Sequence, residues 1–387
     1  MGKLRFPDKF FWGSATSSYQ VEGGIEYNDW AQAAREGKMP AAGKAADHYN
    51  RYEEDFDIAK SLNQNAHRFS IEWARIEPEE GRFDEDAIEH YRKVLQALRG
   101  KGLEPFVTLW HFTLPIWFAK MGGFENKKAP FYFARYCEYV VSRLGERAQF
   151  LITINEPMIY AGQSYMKGIW PPFRKNIFKF IKVVNNLIMS HNIVYGKIKL
   201  SDPNILIGIA KNNMDFDSSR FNFAGRLIQI FLRLFWNHYF LKKISRQQDF
   251  IGLNFYFHKH FGYKIYEKKS DMGWAIYPPA IHHVLMELKK YRKPIYIAEN
   301  GIADAVDSKR AKFIKDHLYW VHRAIHDGID VRGYFYWSLL DNFEWDKGFE
   351  PRFGLVEMNY ETMERGIRSS AYEYKKICET NMLETNN

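Results

Sequence analysis

The 387-residue chain predicts an α/β protein folded as a single (β/α)8 TIM barrel. Eight short apolar runs recur about every 40 to 55 residues, at 10–15, 66–71, 105–110, 151–155, 205–210, 250–255, 294–298 and 333–338. Each run is continuous rather than alternating in polarity, as expected of strands buried on both faces of a parallel sheet. The segments between them carry helical apolar spacing, and eight such alternations without a second domain close most simply into a barrel.

The helices bring their own stop and start signals. "DEDAIEHYRKVLQALRGKG" opens on acids, keeps its apolar residues at helical intervals and closes on Gly100 and Gly102. "DSKRAKFIKDHLYWVHRAIHDG" does the same and stops at Gly328. The domain is expected to span 1–387, with a core from about 8 to 378 and a polar tail over 379–387.

Composition narrows the function classes. Aromatic content is 17%, high enough to fill a barrel and also to supply the flat walls on which sugar rings pack. The net charge of +9 comes without a long Lys/Arg run, and acids are spread almost throughout, so no nucleic-acid partner is expected. Cys137 and Cys378 are far apart and read as free thiols of a reducing cytoplasm. The N-terminus "MGKLRFPDKFFWG" has neither a secretory apolar core nor a lipidation pattern, and no stretch is long enough to span a bilayer. A cytoplasmic protein is the expectation.

In a (β/α)8 barrel, chemistry sits at the C-terminal strand ends. Those ends carry Gln20 and Glu22 after the first run, Arg68 and Glu72 on the second, and His111 on the third. Asn155 and Glu156 follow on the fourth, Asn254 and Tyr256 on the sixth, Glu299 and Asn300 on the seventh. The eighth brings Trp337, then Asp341, Glu344 and Trp345. No glycine-rich phosphate loop or Ser/His/Asp order is present. Two glutamates at the fourth and seventh ends face each other across the barrel mouth. Acetal hydrolysis needs such a pair, because the leaving alkoxide must be protonated while an ionised carboxylate meets the oxocarbenium-like centre. Like-charge repulsion helps hold the two protonation states apart. A merely structural ion-pair network would need more basic partners than these loops supply.

The stretches "FFWGSATSSYQVEGG", "TINEP", "IAENG" and "RGYFYWSLLDNFEWDKGFEPRFGL" resemble glycoside hydrolase family 1, the β-glucosidase family, from residue 10 to about 374. The resemblance implies a retaining exo-β-glycosidase that works by double displacement without cofactor or metal. It implies Glu156 as general acid/base and Glu299 as nucleophile, with Asn155 on the sugar 2-hydroxyl. Arg68, Tyr256 and Asn254 would support the nucleophile; Gln20, His111, Trp337, Glu344 and Trp345 would read the terminal sugar. Trp274 resembles an aromatic of the leaving-group side. Terminal β-D-glucosyl residues are implied, with galactosyl or fucosyl as further substrates. Glu344 argues against 6-phosphorylated sugars, whose enzymes resemble this family but place a phosphate loop there. The competing reading is a catalytically silent barrel that binds sugar or a partner protein.

Three departures stand out: Phe112-Thr113 where an aromatic then aspartate is commoner, Glu72 in "SIEW" where serine is commoner, and a chain several tens of residues short. Asp47, His48 and Asp341 read as buried structural hydrogen-bonders. His258 and His260 have a spacing a metal could use but lack further ligands. The basic aromatic stretches 171–184 and 226–243 read first as barrel helices with apolar inner faces. Their alternative is a greasy cationic rim that meets amphiphilic aglycones or a membrane surface.

Overall fold

The computed structural model describes residues 2–145, 148–262 and 268–385. Eight parallel strands close a barrel: β1 (Phe11–Ala15), β2 (Ala66–Ser70), β3 (Glu104–Thr108), β4 (Phe150–Asn155), β5 (Leu206–Asn212), β6 (Phe250–Asn254), β7 (Ile295–Asn300) and β8 (Val331–Trp337). Each strand pairs with its sequence neighbours, and β8 returns to β1 with Gly333 opposite Phe11 and Trp337 opposite Ala15. Most boundaries fall within a residue or two of the expected runs. The difference that matters is at β5, which continues through Lys211 and Asn212 instead of ending at Ala210.

Outside the strands lie α1 (His48–Ser61), α2 (Glu85–Gly100), α3 (Ala129–Leu144), α4 (Ile177–Ser201), α5 (Phe223–Leu232), α6 (Pro279–Leu288), α7 (Arg310–His326) and α8 (Ser369–Thr380). The sequence signals act as anticipated. Asp84 caps α2 by accepting from the Ala87 amide, Glu85 and Asp86 occupy its positive end, and Gly102 follows with φ +70°. Aromatic rings fill the barrel interior: Phe106 stacks on Phe150 at 4.3 Å and meets Phe335 edge-on at 4.6 Å.

The two basic aromatic stretches behave differently. α4 buries Phe180, Val183, Val184, Leu187 and Ile188, as a barrel helix should. α5 buries only Gly225, so an apolar inner face is the wrong description of it. It continues through a π segment, Arg233–His238, and a short helix, Tyr239–Lys243, which does reach the core through Phe240 and Leu241.

The supposed polar tail is part of the fold as far as Thr385. Met382–Thr385 pairs antiparallel with Gly2–Arg5, and the Asn381 side chain accepts from the Trp12 indole at 2.9 Å. Asp47 also departs from expectation: it is half-buried and bonds Asn50, while the buried partner of His48 is Asp55 at 2.7 Å. Asp341 is the buried hydrogen-bonder anticipated, gripped by both Arg368 terminal nitrogens at 2.9 Å. His260 faces Asp217 at 3.3 Å, and no metal-binding group of acids, histidines or cysteines occurs among the described residues.

Candidate active site

The C-terminal strand ends enclose a cavity of about 340 Å3, in the range of small-molecule pockets. Gln20, His111, Asn155, Glu156, Tyr256, Trp274, Glu299, Trp337, Glu344 and Trp345 all line it. Arg68 and Asn254 do not; they lie fully buried beneath it and hold the lining residues from below. The twelve residues singled out in the sequence therefore converge on one place.

Local backbone delivers the two glutamates. β4 ends at Asn155, and Glu156 takes the left-handed conformation, φ 43° and ψ 59°, which is rare and strained for a residue with a side chain. Pro157 then opens a short helix, Pro157–Ala161, where its fixed φ suits the first turn. The proline thus starts an element as well as ending one. Glu299 sits inside β7, one residue before Asn300, whose amide donates to the Phe255 carbonyl at 2.8 Å and accepts from the Tyr334 hydroxyl at 2.9 Å. Asn300 is in effect a tie between strands. Gly301 must be glycine, because a β-carbon there would lie 1.9 Å from the Trp337 carbonyl oxygen.

One hydrogen-bond network carries both carboxylates. Arg68 donates to Glu299 Oε1 at 2.6 Å and to Asn155 Oδ1 at 2.7 Å. The Tyr256 hydroxyl donates to Glu299 Oε2 at 2.8 Å. Asn254 donates to Asn155 Oδ1 at 3.1 Å and to Glu156 Oε1 at 3.0 Å, and Asn212 adds a second donor to that oxygen at 3.1 Å. A guanidinium can only donate, so Asn155 must turn its oxygen to Arg68 and its amide to His111 Nε2, 3.0 Å away. His111 therefore accepts at Nε2 and carries its proton on Nδ1. Burial and the Arg68 charge hold its basicity well below the usual imidazole range, so it is neutral. Its ring lies nearly parallel to Trp337 and Trp345, at 6.0 and 5.9 Å.

Protonation follows from the partners. Burial and the charge of Glu299 push the Glu156 carboxyl up to about 7. Burial raises Glu299 as well, but the adjacent guanidinium and phenol oppose it. When the pair holds a single negative charge, the charge belongs on Glu299 and the proton on Glu156. Glu344 is pushed up to about 8, by burial and then by the charges of Glu299 and Asp346. Gln20 accounts for its own placement: its amide donates to the Phe343 carbonyl at 2.9 Å and to Asn342 at 3.0 Å.

Several lining residues were invisible to the strand-end reading. Asn212 belongs to the lining by the same rule, had β5 been extended by two residues, and the adjoining Lys211 lies buried behind it, outside the lining. Lys211 is fully buried, donates to the Asn212 carbonyl, lies 5.7 Å from the Trp236 ring and has its ammonium pushed down to about 7 by burial. Trp170 comes from the loop before α4 and is fixed by its indole on Asp346 at 2.9 Å. The two unusual residues Glu72 and Thr113 turn out to be partners. The Thr113 hydroxyl lies 2.9 and 3.0 Å from the two Glu72 oxygens, and Glu72 sits outside the cavity, so it adds no carboxylate there.

A closed parallel barrel with this carboxylate pair and aromatic walls is the architecture of a glycoside hydrolase. The family is explicit: glycosyl hydrolase family 1 matches residues 3–240 and 237–383, and the chain belongs to it. Among relatives, the β-glucosidase A of Acetivibrio thermocellus is 34% identical, with 98% of this chain and 100% of that protein aligned over 448 residues. That length against 387 here shows a relative with several tens of residues this chain lacks. Among solved structures, a β-glycosidase from Pyrococcus horikoshii superposes with TM-score 0.93 at 40% identity, covering 99% of this chain and 97% of its own. A β-glucosidase from Thermotoga maritima in complex with glucoimidazole gives 0.93 at 31%, covering 98% and 100%. The protein is a β-glycosidase of this family.

Proposed function

We propose that the chain, acting as one domain over 1–387, is a retaining exo-β-glycosidase. Its substrates are terminal, unphosphorylated β-D-glucosyl residues, with β-D-galactosyl and β-D-fucosyl residues also accepted. The observation that carries this reading is the asymmetry of the pair: Glu299 has a guanidinium at 2.6 Å and a phenol at 2.8 Å, whereas the hydrogen bonds to Glu156 among the described residues come from the neutral amides of Asn212 and Asn254, with the Lys211 charge acting on it without a hydrogen bond.

On this reading ionised Glu299 attacks the anomeric carbon while Glu156 gives its proton to the departing oxygen. The Tyr256 hydroxyl can follow the charge as it leaves Glu299. In the second step Glu156, now ionised, takes a proton from water, which displaces Glu299 and restores the β configuration. Asn155 on this reading holds the 2-hydroxyl, a contact that strengthens toward the transition state. Trp337 offers the terminal sugar an apolar face, and Trp274, packed on Phe257 at 4.6 Å, walls the leaving-group side. Exclusion of phosphorylated sugars is supported by Glu344 and by Lys347 being already paired with Asp346 at 2.7 Å. No group beyond these side chains is required, and a reducing, cytoplasmic setting is supported by free Cys137 and Cys378.

The test is a panel of p-nitrophenyl β-glycosides with the configuration of the first product read by proton NMR. Release of β-configured sugar, fastest from the glucoside, is expected. An α-configured first product would remove the double-displacement reading, and no hydrolysis of any glycoside would leave the silent sugar- or partner-binding barrel.

A further inference from the structure

Acidic residues are not in fact spread throughout the chain. Residues 157–201 and 218–248 contain thirteen Lys and Arg and not one Asp or Glu, so the remainder of this +9 protein carries a small negative balance. The two segments are neighbours in space: Phe235 packs between Phe231, stacked at 5.7 Å, and Phe180 of α4 at 6.0 Å, and Tyr239 donates to Asn185 at 2.8 Å.

Together they present an apolar face to solvent. On the α5 side, Phe223, Leu227, Ile230, Phe231 and Leu234 recur at i, i+4, i+7, i+8 and i+11, one stripe of a helix, and all are exposed. Phe221 before it is 95% exposed, and Phe178 on α4 is 80% exposed with Ile181 beside it. Flanking them, Lys167, Arg174, Lys175, Lys182, Arg220 and Arg226 are exposed and make no ion pair with any described acid. The face also reaches the cavity mouth, since Lys167 and exposed Ile169 line the cavity.

We infer that this face is an interfacial docking surface for an anionic lipid bilayer, with the apolar stripe of α5 seated among the headgroups and these six cations on lipid phosphates. The chemistry points to lipid rather than to a second copy of the chain. A symmetric dimer across this face would bring two acid-free cationic rims together, whereas an anionic surface complements both the charge and the grease. Among the described residues no helix is long and apolar enough to cross a membrane, so the contact is with the surface. Docking there would hold the cavity entrance at the lipid–water boundary.

Vesicle co-sedimentation tests this directly, using phosphatidylglycerol-containing and pure phosphatidylcholine vesicles. The full-length protein should sediment with the anionic vesicles, less so as salt is raised. Arg220→Glu and Arg226→Glu should each weaken binding by about fivefold or more. The triple change Phe223→Ser, Leu227→Ser, Phe231→Ser should abolish it while hydrolysis of a soluble aryl glycoside continues, which also shows that the variant folds. Glu299→Gln should bind vesicles like the unaltered protein, so docking and catalysis fail or survive separately. Equal sedimentation with both vesicle types, or undiminished binding by the triple variant, would overturn the inference. So would a dimer seen by sedimentation equilibrium that the same substitutions dissolve, since a second copy would then be the occupant.

Discussion

The ends of β4 and β7 present two glutamates that are almost equally hidden, Glu156 at 7% and Glu299 at 4% exposure, yet their surroundings differ in kind. Both pay the desolvation cost of a buried charge. Glu299 recovers part of it through charge, from Arg68, and through the Tyr256 phenol. Asn212 and Asn254 offer Glu156 hydrogen bonds without charge, so it stays the better proton holder. Burial alone raises both carboxyls; the guanidinium and phenol beside Glu299 favour the negative charge on that side.

That contrast can be broken at its strongest point first. Glu299→Gln should lower kcat by about 10^4-fold or more, because the amide cannot act as the proposed nucleophile. Steady-state assay of p-nitrophenyl β-glucoside checks this, and near-normal turnover would end the proposed assignment. Glu156→Ala should cost about 10^2- to 10^4-fold on alkyl glycosides and far less in the first step on aryl glycosides with acidic leaving groups. A uniform loss across leaving groups would contradict its role as acid.

Arg68→Met removes what separates the two environments. Glu299 should then titrate higher, and the acidic limb of kcat/KM should move to higher pH with a marked fall in rate. An unmoved limb would show that Arg68 does not set the ionisation of Glu299. The alkaline limb in the unaltered enzyme should lie near 7, where Glu156 loses its proton.

The smallest expected effect is on stability. The folded-state value for Glu156 is raised to about 7, so burial of its neutral form is fully tolerated below about 4.5 and becomes progressively unfavourable as pH rises through 7. Glu156→Gln does not titrate. Its Tm relative to the unaltered protein should therefore rise between pH 5 and 8, by a few degrees on the order expected for 1–2 kcal/mol in a large domain. A constant difference across that range would show that Glu156 is not a strained carboxylate.

The barrel was legible because its strands are buried on both faces and announce themselves as unbroken apolar runs. So were the two glutamates, since each directly follows or closes such a run. Legibility failed where polarity and position disagree. Lys211 and Asn212 look like loop residues, but at the mouth end of a barrel strand polar side chains still belong to the ladder, opposite Leu253 and Asn254. Trp170 lies far from any strand in sequence and reaches the site through tertiary contacts, packing against Trp345 and Phe112 and bonding Asp346. The pairing of Glu72 with Thr113 joins residues 41 apart, a relation no local pattern encodes. α5 misled for the opposite reason: its periodicity was real, but periodicity reports a stripe and not which way the stripe faces.

The ribbon formed by Gly2–Arg5 and Met382–Thr385 has a mechanical consequence. Gly2 lies opposite Thr385 and Arg5 opposite Met382, so tension applied between residues 2 and 385 loads the same end of both strands. The pairs are then pulled open in series, one after another, rather than sheared together. A molecule stretched from these two points in an optical trap should yield the ribbon at low force before the barrel strands bear any load.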